Sequence, residues 1–259
     1  MSALEARIEG IGFWSDGLPS WAAACAFARE GVRPEAAPAR PAPQLLPPNE
    51  RRRAPETVAV ALEVALAACQ AAGRAPQALP SVFASTYGEL PITDYMCATL
   101  AGAPHTLSPI RFHNSVHNAA AGYWTIGAGC HAPATALSAL GASFAEGLLE
   151  ALAQLADGAE AVLLVAYDGA ATGPLATMAP SAGLLGGALV LSRAGAGPRL
   201  RATLADGIAA PGDGPLARHA AGNAMAPMLP LFDALVAGGD LVRLPAGPGR
   251  CLRLELADA

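Results

Sequence analysis

Ser143 lies in Gly141-Ala142-Ser143-Phe144-Ala145, close to the G-x-S-x-G pattern of a nucleophile elbow with Ala145 in the last glycine's place. A serine at such a corner attacks acyl groups only if a histidine takes its proton and a carboxylate orients that histidine. Asp168 and His219 follow Ser143 in that order. One reading is therefore a serine acyl hydrolase or transferase using Ser143, Asp168 and His219. The plainer reading makes Ser143 a small residue in the first turn of a buried helix, where serine is well tolerated. His113 and His117 are four residues apart, which would place both on one helix face, as in a metal or acid–base pair. No HExxH glutamate accompanies them and no third ligand is evident, so no metal is expected. With Asn114 and Asn118 they read better as groups bonding a turn and a subunit interface.

The cysteines carry less. Cys25, Cys69, Cys97, Cys130 and Cys251 are widely spaced and form no CxxC, which fits reduced thiols in a cytoplasmic chain. Each reads as a small buried apolar residue. The glycines around Gly183–Gly187 have neither GxGxxG nor GK[ST] spacing and suit close backbone packing or a turn.

These residues need elements to position them. Strands are expected at residues 4–13, 81–86, 134–140, 162–167, 188–192, 199–204, 241–244 and 251–256. The run VLLVAY suits a strand buried on both faces. Strands 188–192 and 199–204 are close enough in sequence to be antiparallel neighbours. Helices are expected at 20–30, 56–72, 91–100, 118–126, 142–155 and 227–237, the second being apolar nearly all round and ended by Gly73. Residues 34–55 hold seven prolines, which argue against a helix and for an extended strap closed by Arg51, Arg52 and Arg53. That triplet is a candidate docking patch for an acidic partner protein, or simply a solvated run before a helix. The alternation predicts an α/β fold with helices over a mixed sheet.

Bulk composition narrows the function. The 259 residues are 53% apolar and 14% charged, with a formal net charge of -5. A basic surplus to neutralise phosphates is missing, so nucleic acid is not an expected partner. No apolar run is long enough for a transmembrane segment, and the N-terminus does not read as a secretory signal. Alanine accounts for 63 residues, so the apolar surplus is partly small side chains. All 16 basic residues are arginine, and the absence of lysine excludes any mechanism that needs one.

The order of motifs adds a resemblance. HNAAAG (117–122) is followed by APATALSALGAS (132–143), then by FAEGLLEALAQLADGAEAVLLVAYD (144–168). This resembles the HNxxAG stretch, the GP-x-x-T-V-S-T-A-C-A-S turn and the following helix and strand of the β-ketoacyl synthases. The register is gapless from Pro133 to Asp168, and the likeness extends over about residues 5–205. FHNSVHN with AGYWTI (112–126) is similar to the short stand-alone chain-length factors of aryl polyene and xanthomonadin-like pigment systems. The resemblance implies a thiolase-like fold. A ketosynthase N-terminal half would span residues 1–206, and a shortened remnant of the second half would span 207–259, packed as one domain.

The departures imply a non-catalytic subunit. In this register Gly141 occupies the nucleophilic cysteine's position, only His219 follows residue 131, and the supporting lysine is absent. The resemblance then implies a heterodimer with an active ketosynthase, with a homodimer as the other possibility. The ligand would be an acyl chain on the phosphopantetheine of an acyl carrier protein, without metal or nucleotide. It points to Phe112, Tyr123, Trp124 and Phe144 as residues limiting the acyl tunnel, with His113, His117 and Asn118 at the interface.

Overall fold

The computed structural model describes residues 3–258. Eight strands form one sheet: β1 (Leu4–Ser15), β2 (Ser81–Ala84), β3 (Ala134–Leu137), β4 (Ala161–Asp168), β5 (Leu185–Ser192), β6 (Arg199–Asp206), β7 (Leu241–Pro245) and β8 (Arg250–Ala257). Their order across the sheet is β3-β2-β4-β5-β1-β6-β8-β7. β2 runs parallel to β3 and β4, and every other pairing is antiparallel. β3 and β7 are the two edges.

The described residues also form ten α-helices: α1 (Trp21–Glu30), α2 (Pro48–Arg53), α3 (Glu56–Ala72), α4 (Leu90–Gly102), α5 (Pro109–Asn114), α6 (Ala119–Ala128), α7 (Ser143–Ala156), α8 (Leu175–Met178), α9 (Pro215–His219) and α10 (Leu229–Ala237). The sheet separates two cores. β4 is buried throughout and alternates between them: Val162, Leu164 and Ala166 face α7, while Leu163, Val165 and Tyr167 face α3 and α6. This is the period-2 geometry of a strand covered on both sides. α3 sits directly on the β1 backbone. A Cβ on Gly12 would lie 2.0 Å from the Val64 carbonyl oxygen, and one on Gly10 would lie 2.2 Å from that of Ala68. Gly186 on β5 likewise admits Val60 of α3.

Residues 207–258 are not a separate layer. β8 pairs along the whole of β6, and Phe232 of α10 packs against Phe13, Trp21 and Phe144 in the α7-side core.

Several expectations need correction. β5 and β6 are not neighbours, because β1 runs between them. The link from 193 to 198 crosses β1, with Ile8 N–H donating to Pro198 O at 3.0 Å and Gly197 close over the Ile8 carbonyl. The proline-rich strap contains helix α2, since Pro48 stands at its first turn, where no amide hydrogen is needed. β1 continues to Ser15, two residues beyond the expected 4–13. β3 stops at Leu137, and 138–142 form a tight corner. His113 and His117 do not share a helix, because α5 ends at Asn114 and α6 begins at Ala119.

Candidate functional site

The corner between β3 and α7 has the strand–turn–helix layout in which a nucleophile can be presented. Leu140 turns it, with φ of +51°, and is the one non-glycine residue with a positive φ among the described residues. The turning residue is therefore one position before Gly141, where the linear register put the lost cysteine. Neither side chain carries a nucleophilic atom. Leu140 is 66% exposed.

Hydrogen bonds close the corner on itself. Ser143 Oγ donates to Leu140 O at 2.7 Å and accepts from Ala139 N–H at 2.9 Å. The Ala142 amide donates to Ala139 O, and the Ser143 amide to Leu140 O. These are amides that would otherwise be available to an oxyanion.

A second turn, Ser85–Gly88 after β2, braces the first. Ser138 Oγ donates to Thr86 O at 2.9 Å. The Thr86 hydroxyl lies 3.5 Å from Leu140 O and 3.4 Å from Ala224 O. Asp168, at the end of β4, holds this turn from beneath. Its carboxylate accepts from Ser85 Oγ at 2.8 Å, Thr86 N–H at 2.9 Å and Tyr87 N–H at 3.1 Å. Burial pushes the Asp168 carboxyl above its ordinary range against the pull of these donors. Asn223 donates to the Asp168 backbone carbonyl at 3.2 Å.

The proposed triad is not assembled. Ser143 and Asp168 are bonded as above. His219 donates from Nε2 to Asp16 O at 3.0 Å, accepts from Arg33 Nη2 at Nδ1 (3.2 Å), and stacks at 5.2 Å from the Phe27 ring. The three share no hydrogen bond. Cys130 is buried beside Leu79 O, 3.5 Å away. No group of three or more His, Cys, Asp or Glu side chains is placed to hold a metal ion among the described residues.

The tunnel and interface candidates separate. Trp124 is fully buried and packs on Phe83, and Phe144 is buried against Phe232, so both are core residues rather than surface ones. Phe112, His113 and Asn118 are exposed. Tyr123 is half-buried and donates to Asn114 Oδ1 at 3.1 Å. His117 donates from Nε2 to Ser85 O at 2.9 Å, tying the link between α5 and α6 to the braced turn.

The arginines also divide. Arg51 is drawn inward to Leu46 O at 2.9 Å, Arg52 bonds Asn49, and Arg53 lines a groove. This groove, of about 590 Å³, runs between α2 and the α5–α6 pair and includes Leu46, Ile110, Val116, Tyr123 and Ile126. Ile110, Phe112, Val116 and Ile126 leave 61%, 56%, 47% and 82% of their surface in solvent. Beyond them β3 presents an unpaired, partly exposed edge. The sequence reading missed Leu140, Ile110, Val116 and Ile126, because exposure of an apolar side chain has no sequence signal of its own.

A family model for the N-terminal domain of β-ketoacyl synthases matches residues 21–242. The chain belongs to this family. Comparison with solved structures extends the likeness to the whole fold. A chain of the complex of a ketosynthase (ApeO) with its chain length factor (ApeC) from Xenorhabdus doucetiae superposes with a TM-score of 0.76 at 22% identity, over 97% of this chain and 99% of that one. The ishigamide ketosynthase/chain length factor gives 0.75 at 16%, over 98% and 99%. A type II polyketide acyl-carrier protein–ketosynthase complex gives 0.72 at 11%, over the full length of both chains. The ketosynthase fold is thus present across the chain. A search of curated proteins finds no match.

Proposed function

We propose that this chain is a non-catalytic ketosynthase-like subunit, a chain length factor. It pairs with an active β-ketoacyl-ACP synthase and shapes the space that holds the growing acyl chain in polyketide, aryl polyene or fatty-acid-like synthesis. The observation that carries this reading is the corner itself. Its strand–turn–helix layout suits a presented nucleophile, and the residues at its turn, Leu140 and Gly141, carry no group that could form an acyl-enzyme bond at that corner. The ligand is an acyl chain on a carrier protein's phosphopantetheine, and the chain uses no metal or nucleotide.

The exposed apolar face of α5 and α6, continuous with the open edge of β3, supports pairing. Matched structures described as ketosynthase with chain length factor supply the partner's class. Five free cysteines support a reducing, cytoplasmic setting. No helix is long and apolar enough to cross a membrane among the described residues.

The test is co-expression with a cysteine-containing ketosynthase from the same genome, followed by mass measurement in solution and product analysis. A one-to-one complex whose product length differs from that of the ketosynthase alone is expected. A chain that stays monomeric or only self-associates beside the ketosynthase overturns the reading, as does an unchanged product.

A further inference from the structure

Leucine at φ +51° adopts a backbone that glycine takes freely and a bulky residue rarely does. Such outliers persist only where the surroundings impose them, and they gather at functional positions. Here the imposition is visible. The Leu140 carbonyl receives the Ser143 hydroxyl and lies beside that of Thr86, and Asp168 fixes the turn carrying Thr86.

The side chain gained by this arrangement does nothing for the core. It is 66% exposed, and it stands three residues beyond the end of β3, the strand at one edge of the sheet. Leu140 belongs to neither hydrophobic core, so its side chain does not offset the backbone strain by burial. The Ser85–Gly88 turn, bonded to the corner through Thr86 and to the α5–α6 link through His117, makes Leu140 rigid with respect to the apolar α5–α6 face.

We propose that Leu140 is a docking residue: the fold holds it at the former nucleophile corner to insert into the surface of the partner ketosynthase. This rests on the subunit reading above. A rigid apolar anchor loses little side-chain freedom on binding, so more of the contact it makes is kept as affinity.

The test compares wild type, Leu140→Gly and Leu140→Ala, each measured twice: thermal midpoint of the isolated chain, and Kd for the ketosynthase. Glycine removes both the strain and the anchor. Leu140→Gly is therefore expected to raise the midpoint while weakening the complex at least tenfold. Leu140→Ala, which keeps the strained backbone, is expected to weaken the complex to a similar degree without that rise. A glycine variant that binds within twofold of wild type overturns the proposal. So does one whose midpoint falls, since leucine would then be serving the fold. If wild type binds no ketosynthase, the subunit reading itself fails, an outcome distinct from a glycine variant that still binds.

Discussion

Replacing Asp168 by alanine leaves two buried donors, the Ser85 hydroxyl and the Thr86 amide, and the half-buried Tyr87 amide without an acceptor, now 2.8, 2.9 and 3.1 Å from its oxygens. A buried donor left unpaired costs about 1–3 kcal/mol. Local relaxation and entry of water reduce the sum, so the expected loss is about 3–5 kcal/mol, at the upper end for a point mutation. Asp168→Asn keeps one carbonyl oxygen but turns an NH₂ group toward a donor, so it is expected to lose about half as much. Urea unfolding followed by circular dichroism reads both, as a drop in the midpoint at constant slope. Because the Ser85–Gly88 turn also braces Leu140 and the α5–α6 link, the asparagine variant is expected to bind the ketosynthase partner more weakly while still folded. An alanine variant within about 1 kcal/mol of wild type would refute the assignment of Asp168 as the brace of the corner.

Two further outcomes follow from the same geometry. Arg74 clasps Glu9 through Nε at 2.8 Å and Nη2 at 3.0 Å, and this hydrogen bonding holds the Glu9 carboxyl below its ordinary value. Arg74→Ala is expected to cost about 1–2 kcal/mol at neutral pH. Since the folded-state value is the lowered one, the wild type's advantage is complete above about pH 4.5 and is lost only below it, as pH falls through the lower folded-state value. Unfolding curves from pH 7 to pH 3 check this, and an advantage that grows on acidification contradicts it. For Ser143, a fluorophosphonate probe is expected to leave the wild-type chain unlabelled, because its hydroxyl is spent on Leu140 O and no histidine adjoins it. Covalent labelling at Ser143 would restore the hydrolase reading.

The regular elements were legible because their periodicities are strong. α3 and β4 are apolar on nearly all sides and are covered accordingly. The faint points are those decided by one residue's tertiary surroundings. Proline density argued against a helix in the strap, yet Pro48 needs no partner at the first helical turn. Two short strands near in sequence looked like a hairpin, but β1, from the other end of the chain, is inserted between them. Size and aromaticity do not tell inward from outward in a sequence; the helix phase of α6 and α7 buries Trp124 and Phe144 while Phe112 stays exposed. At the corner, glycine was the natural candidate for the turning position, and Leu140 took it because the bonds from Ser143 and Asp168's turn impose the backbone. The absence of a nucleophile was readable either way; the residue standing in its place was not.

The asymmetry between β3 and β4 also sets a time scale. The amides of β4 are hydrogen-bonded to two neighbours and shielded by two cores, so they exchange with solvent only when the whole domain opens. Those of β3 belong to a four-residue strand paired on one side, so that fraying exposes them without disturbing either core. Deuterium uptake along this one sheet therefore carries its own internal reference: β4 keeps count of global unfolding, while residues 134–137 keep count of whatever is, or is not, lying against the edge.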